Sequence, residues 1–405
     1  MNRRSVLFFL NFYNDVDHAA PLIKDLLDKD CKVHVICNSD YAIDRDVRFR
    51  FLQEHSLFHY HKLGLLPRTG GLSNAERRPL NLSKRLFREI IFNKFWALGF
   101  LLIHGISCVV YTWGRPTAKG VQRRFFEGSR IAGIRSICIP HGQNIFLNYD
   151  VNTSLRKNFR EHQRWPDFSD RNAFDLYIVQ TEHHLDQHIA FGMDRKTLRA
   201  YGSLRFSPDW IEFNRKLLSL DKPSQVKSGS KTHLVFFLPH WRYNTSYEST
   251  LSLILRLSEI NRLVLTVKGH TRGDDLDNET ISLLKNKDNI IWARPNDESP
   301  ALIESSDLVV NFGSSIAYEA ILTGIPVIYP KYLHSNTTVF DSFAVVNVAE
   351  SESEAVALVH RGSTSSLSPP APDELSRFAD EEIYNHGDCS IVRQRYLSAV
   401  INPPT

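Results

Sequence analysis

Leu308-Val309-Val310-Asn311-Phe312-Gly313-Ser314-Ser315, followed by Ile316–Thr323 and then Gly324-Ile325-Pro326, passes from an apolar run to a helical pattern through one glycine and two serines. The run Leu308–Phe312 predicts a short strand buried on both faces. Ile316–Thr323 predicts a helix, Gly324 its stop and Pro326 the start of the next strand. Gly313 permits a tight strand-to-helix turn, and Ser314 or Ser315 can cap the helix. A helix start that offers hydroxyls and free N–H groups suits a phosphate. An ordinary serine-capped helix fits the same residues. Glu319, one turn further in, is placed to accept from ribose hydroxyls.

The same rhythm extends outward in both directions. Strands are predicted at His233–Leu238, Leu263–Lys268, Asn289–Ala293 and Pro326–Tyr329, with helical segments between them, Ser249–Ile260 among them. Toward the N-terminus, Val6–Phe12, the helical Ala19–Asp28 and Lys32–Cys37 form a βαβ opening. Cys108–Trp113, Ser136–Pro140 and Leu176–Gln180 continue it. Residues 39–94 give no clear pattern. Strands alternating with helices predict parallel sheets, and 405 residues exceed one ordinary core. The expected fold class is therefore α/β, with two Rossmann-like parallel-sheet domains facing a central cleft. The expected boundaries are 1–210, a linker at 211–230 that includes the Ser/Lys/Gly/Pro-rich Ser219–Lys231, and 231–372. A final helix in 373–405 is expected to pack back on the N-terminal domain.

Composition narrows the class. Apolar residues make up 42% of the chain, with 25 Phe, 14 Tyr and 6 Trp, enough for packed cores rather than disorder. A net charge of +4 gives no reason to expect nucleic acid as a partner. Cys31, Cys37, Cys108, Cys138 and Cys389 are scattered and odd in number, which reads as reduced thiols in a cytoplasmic protein. Val6–Leu10 is too short for a signal core, and Phe95–Ile106 falls well below the ~20 residues of a membrane span. The basic stretch Arg77–Lys94 fits a peripheral contact with the inner face of an anionic membrane, or a solvated helix face.

Open α/β sheets bind ligands at the carboxyl ends of their strands. His233–Leu238 runs into Pro239-His240-Trp241-Arg242, and Leu263–Lys268 into Gly269-His270-Thr271-Arg272. Each places an imidazole and a guanidinium just past a strand, where they can bind phosphate or a base. With the Gly313-Ser314-Ser315 turn they make three ligand-suited strand-end loops in one half, which outweighs the reading of any single one as solvated charge.

Pro-His-Trp-Arg, Val267-Lys268-Gly269-His270 and Gly313-Ser314-Ser315…Glu319…Gly324-Ile325-Pro326-Val327 together resemble the C-terminal half of a group of GT-B transferases. The group is similar to CDP-glycerol glycerophosphotransferases, capsule polysaccharide transferases and bacterial CMP-sugar Kdo- and sialyltransferases. The resemblance covers residues 230–335 well and the N-terminal half loosely. It implies that His270 and the Ser314-Ser315 pair hold a cytidine nucleotide, with Gly313, Glu319, Lys268 and Arg242 around it. Thr271 stands where the group often has Pro, and Gly313 where it has an aromatic residue.

On the acceptor side, Pro140-His141-Gly142-Gln143-Asn144 follows a strand. The resemblance implies that His141 is the general base, and imidazole has a suitable pKa range. Asp15 and Asp17, with His18 beside them, follow the first strand and are the second candidates for base, with helix N-capping as the competing role. Asn144, His18 and His240 are further substrate candidates. Arg205, in Gly202-Ser203-Leu204-Arg205-Phe206-Ser207-Pro208-Asp209, resembles an inter-domain Arg that reaches a donor phosphate.

Glu182, His183, His184 and His188 read as a polar helix start rather than a metal set. Asp275-Leu276-Asp277 reads as solvated, so no metal and no cofactor are expected. The expected activity is transfer of a Kdo- or sialic-acid-like sugar from a CMP donor to a saccharide or lipid-linked saccharide in capsule or lipopolysaccharide synthesis. The alternatives are a CDP-glycerol-type polyol-phosphate transferase, a UDP-sugar 2-epimerase-like enzyme, or a non-catalytic nucleotide-sugar-binding subunit. Epimerases of that type need several carboxylates in the cleft, whereas His and Arg dominate these loops.

Overall fold

The computed structural model describes residues 4–37, 41–63, 93–116, 120–221, 231–270, 276–293, 297–365 and 367–401. The chain divides into two compact units. The first comprises Met1–Gly142, Asp167–Arg205 and Tyr384–Thr405, and the second Gln143–Pro166 and Phe206–Ile383.

The first unit carries β1 (Ser5–Phe9), α1 (Tyr13–Asp28), β2 (Lys32–Cys37), α2 (Val47–Gln53), β3 (Phe58–Lys62), α3 (Lys94–Ile103), β4 (Ile106–Thr112), α4 (Val121–Ala132) and β5 (Arg135–Ile139). After α5 (Thr153–His162), which belongs to the second unit, it resumes with β6 (Leu176–Val179), α6 (Glu182–Ala190) and β7 (Leu198–Ala200). Its seven strands are all parallel, in the order β3-β2-β1-β4-β5-β6-β7. β1 is fully buried along Val6–Leu10, because helices cover both faces of a parallel sheet. Phe9 stacks on Tyr111 at 5.2 Å and meets Phe125 edge-on, anchoring one face of the core.

The second unit continues with α7 (Pro208–Asp221), β8 (Thr232–Phe237), α8 (Tyr247–Ser258), β9 (Leu263–Lys268), α9 (Asn278–Lys285), β10 (Ile290–Trp292), α10 (Ser299–Glu304), β11 (Leu308–Val310), α11 (Ile316–Leu322), β12 (Val327–Pro330), β13 (Asn347–Ala349), α12 (Glu352–Thr364) and α13 (Pro372–Phe378). Its parallel order is β10-β9-β8-β11-β12-β13. Both sheets therefore wind outward from a central strand in the same way. They switch direction between β1 and β4 in one and between β8 and β11 in the other, the crevice where such sheets bind ligands. The fold class is GT-B-type, two Rossmann-like units.

Several boundaries differ from the sequence reading. α1 begins at Tyr13, six residues before the expected Ala19, and so takes Asp15, Asp17 and His18 into a helix. β3, β7 and β13 have no counterpart in that reading; each is short or at a sheet edge. Residues 143–166, lying in the chain between β5 and β6, belong to the second unit. Residues 211–221 of the expected linker are helical, and 222–230 lie outside the described residues. The expected final helix is three pieces: α13, a π-helical turn at Ala379–Tyr384, and α14 (Cys389–Ile401). Only α14 joins the first unit, where Arg393 pairs with Asp25 at 2.8 Å and the Tyr396 hydroxyl donates to the Gly202 carbonyl. All five cysteines are free thiols, four of them buried. Among the described residues no helix is long and apolar enough to cross a membrane. Of Arg77–Lys94, residues 77–92 lie outside the described residues.

Candidate functional site

In the second unit the switch point is built by the β8 and β11 loops. A Cβ added to Gly313 would lie 3.0 Å from the Cβ of Pro239, tighter than an ordinary side-chain contact, so glycine lets the two loops approach without either giving way. Asn311 is buried, and its Oδ1 accepts the Ser314 N–H at 3.2 Å. The Ser314 hydroxyl oxygen accepts the Ile316 N–H at 3.3 Å, and the Ala317 and Tyr318 N–H groups turn back onto the Ser314 and Ser315 carbonyls. Ser315 itself makes no side-chain cap. The first turn is thus closed by its own neighbours. Of the hydroxyls and free N–H groups the sequence suggested, the hydroxyls remain to offer a ligand, while the Ser314, Ile316, Ala317 and Tyr318 N–H groups are already bonded. α11 ends as expected: Gly324 is left-handed at φ 75°, and the N–H groups of Gly324 and Ile325 close onto Ile321 and Ala320.

Beside this turn the ends of β8 and β9 carry Lys268, His240 and His270 of the predicted donor set. Lys268, the last residue of β9, is buried, and the half-buried rings of His240 and His270 lie 5.2 Å apart. Arg242 is exposed. Glu319 is buried within α11. Thr271, Arg272 and Asp275 lie outside the described residues. Asp277 is exposed, as expected of a solvated charge, and its Oδ1 also caps α9 by accepting the Thr280 N–H at 2.8 Å.

The floor beneath the turn was not anticipated. Phe312 lies parallel to the buried ring of His334, with centroids 6.2 Å apart. His334 Nδ1 accepts the Asn336 N–H at 3.1 Å, and its Nε2 lies 2.7 Å from the Tyr329 hydroxyl. Burial pushes this imidazole down to about 4, so it is neutral. Asn336 in turn bonds Asn148, Asn244 and the Val151 and Tyr243 carbonyls. This ties the loop after β5 to the loops after β8 and β12. Asn144 lies in the same segment, with its amide turned onto Phe146.

The carboxyl end of the first sheet is wired differently. The Asp15 carboxylate accepts the Asn11 and Phe12 N–H groups at 2.7 and 3.2 Å, the capping role weighed against catalysis. Asp17 is buried between two guanidiniums, Nη1 of Arg48 and Nε of Arg205. Arg48 also grips Asp46 with two further bonds. Burial alone would raise the Asp17 pKa, but Arg205 and Arg48 hold it below the ordinary carboxylate value. A carboxylate held this way is a poor proton acceptor. The base role assigned to Asp15 and Asp17, and the donor-phosphate role assigned to Arg205, therefore meet groups already committed within the fold.

His18 and His141 remain at this end, both partly buried. Burial lowers His18 to about 3 despite the neighbouring Asp17, with Arg205 and His141 adding to the effect. It stays a neutral imidazole. His18 shares a small polar hollow with Pro140, Gln180, Ser203 and Tyr396. His141 packs edge-on to Trp113 at 5.5 Å. Trp113 sits in the left-handed region at φ 46° directly after β4, on the switch point, and the Arg171 guanidinium covers its ring at 4.5 Å. Thr112-Trp113-Gly114 lies at a strand end like the other loops, but it carries no charged residue to single it out in the sequence. His184 and His188 are structural: His188 Nδ1 donates to the His184 carbonyl, and His184 bonds Thr181. Among the described residues no group of His, Cys, Asp and Glu is placed to hold a metal.

No family model matches the sequence, and no curated protein does. The fold has close counterparts among solved structures. UDP-GlcNAc 2-epimerase from Methanocaldococcus jannaschii superposes with a TM-score of 0.59 at 12% identity, over 98% of this chain and 99% of the other. The Neisseria meningitidis enzyme bound to UDP-GlcNAc gives 0.57 at 13%, over 98% and 100%. Anabaena HepE in complex with UDP and glucose gives 0.54 at 13%, over 98% and 99%. The two-unit fold is thus that of GT-B-type UDP-GlcNAc 2-epimerases. These structures lend no support to the cytidine donor or to the capsule and lipopolysaccharide setting.

Proposed function

We propose that this chain is an enzyme that binds a UDP-sugar at the second switch point and breaks the bond between the anomeric carbon and the β-phosphate oxygen. The observation that carries this reading is the set gathered there. The buried Lys268, the paired imidazoles of His240 and His270, and the hydroxyls of Ser314 and Ser315 end neighbouring strands beside a turn where Gly313 packs closely on Pro239. Cationic and hydroxyl donors fixed in place suit a diphosphate leaving group, whose negative charge grows as the bond breaks. UDP replaces CMP as the nucleotide because whole-chain counterparts of this fold hold UDP or UDP-sugars.

Two outcomes share that step. Likeness along the entire chain favours a 2-epimerase-like enzyme, in which the proton on C2 leaves and returns on the other face. The commitment of Asp15 and Asp17 favours the second reading, transfer of the sugar to a saccharide hydroxyl, with His141 taking its proton. Proton NMR of UDP-GlcNAc and UDP-glucose in D2O separates them. Deuterium entering C2 with no acceptor present identifies epimerisation, and UDP release that requires an added acceptor identifies transfer. Unchanged UDP-sugar in both arms would refute the enzymatic reading.

A further inference from the structure

α5 buries none of its residues, yet it is firmly anchored. Asn152 Oδ1 accepts the Leu155 N–H at 2.9 Å, and the Thr153 N–H donates to the Arg242 carbonyl at 2.9 Å. The Arg156 guanidinium donates to Asp150 at 3.0 Å and to the Ser335 hydroxyl at 3.2 Å. Behind them stands the buried Asn336 amide, which bonds Asn148 and Asn244 at 3.1 and 2.7 Å. A surface helix fixed by this many directional bonds presents its outer groups in set positions.

Those groups are strongly cationic. Residues 153–164 hold Arg156, Lys157, Arg160 and Arg164 against a single carboxylate, Glu161. A cavity of about 500 Å³ opens beside the helix, lined by Thr153, Arg156, Lys157, Arg160, Asn244 and Ser335, with Glu161 also on its wall. That volume lies within the range of small-ligand sites. Asp150 offsets Arg156, and Glu161 lies 3.7 Å from Lys157 across exposed side chains. Arg160 has no ion-pair partner among the described residues. The lining therefore offers surplus positive charge together with an amide and two hydroxyls, and no large apolar side chain.

We propose that this cavity binds an anionic saccharide, a sugar chain bearing carboxylate or phosphate groups. Arginine and lysine meet the charge, and Asn244, Thr153 and Ser335 meet hydroxyls, the pairing such a ligand requires. An anionic membrane is the competing class of partner, and the helix does not suit it. Its apolar side chains Leu155 and Phe159 are half-buried, and Phe159 stacks on Trp165 at 4.0 Å, so no apolar stripe is left to enter a bilayer. Asn244 lies two residues beyond Arg242 on the β8 loop, which places the cavity beside the proposed UDP-sugar site. The binding itself does not rest on the UDP-sugar reading; use of the bound saccharide as the sugar acceptor would.

The test is isothermal titration of the full chain at low salt with hexagalacturonate, maltohexaose and inorganic phosphate, on wild type and on the Lys157→Gln/Arg160→Gln double variant. Both side chains are exposed, so the variant keeps its fold, which UDP thermal shift in parallel verifies. Hexagalacturonate is expected to bind more tightly than phosphate, to weaken at least fivefold in the variant, and to weaken further with added salt. Maltohexaose is expected not to bind. Equal binding of maltohexaose, hexagalacturonate no tighter than phosphate, or an unchanged variant would overturn the proposal. So would capture by phosphatidylglycerol vesicles alone. Loss of UDP binding with hexagalacturonate binding intact would sink the UDP-sugar reading and leave this site standing.

Discussion

The two sheets share one winding order, yet their carboxyl ends use charge in opposite ways. At the first, Asp17, Arg48, Arg205 and Asp46 neutralise one another in a buried network, and Asp15 closes a helix start. At the second, the imidazoles of the β8 and β9 loops and the hydroxyls of the β11 loop stand half-exposed beside a glycine turn, with Lys268 buried at the end of β9 and Arg242 exposed. Two buried carboxyl groups sharpen the contrast. Asp17 is held ionised by its arginines. Glu382, on the π-helical turn and bonded by the Tyr318 hydroxyl of α11, is pushed by burial up to about 7. A charge locked into a network is structural wiring; one left partly open to water can serve a ligand.

The largest effect that tests this division is expected from Asp17→Ala. It removes the carboxylate held between two buried guanidiniums, which costs about 3–5 kcal/mol, and urea unfolding should register the loss. A change below about 1 kcal/mol would show that the network is not wiring. Next comes pH. Folded Glu382 keeps its proton up to about 7, whereas the unfolded group loses it near 4.5. Between those values the unfolded state binds fewer protons, so stability falls as pH rises and levels off above 7, by on the order of 3 kcal/mol. Glu382→Gln should flatten that slope; an unchanged slope means that another group titrates.

Gly313→Ala drives a methyl toward Pro239 and should cost about 1–3 kcal/mol while weakening UDP binding, read by melting with and without UDP. Smallest in stability is Ser314→Ala. It should leave the melting midpoint nearly unchanged, within about 0.5 kcal/mol for a half-exposed site, and weaken UDP about tenfold, ~1.4 kcal/mol. Equal stability and equal UDP affinity would remove Ser314 from the site.

The fold was legible because parallel strands write themselves as unbroken apolar runs, and Gly313 and Gly324 punctuate the β11-α11 unit. The site was half legible. His240, Lys268, His270 and the serine pair follow directly from strand ends, and the structure brings them to one switch point. The fate of Asp17 was not, because its partners Arg48 and Arg205 lie 31 and 188 residues away and no local pattern links them. Asp15 was ambiguous for a local reason. A carboxylate three residues into a helix caps as readily as it catalyses, and only the bonds to Asn11 and Phe12 decide. Trp113 and Asn336 went unread because neither belongs to a charged motif.

If this chain binds a nucleotide as proposed, the binding is expected to belong to the second sheet alone. Calorimetric titration with UDP of wild type, His270→Ala and His18→Ala tests it most directly. The account predicts that wild type binds UDP, that His270→Ala weakens it about tenfold, and that His18→Ala leaves it unchanged. Absence of UDP binding in wild type, or a loss in His18→Ala with none in His270→Ala, would contradict it.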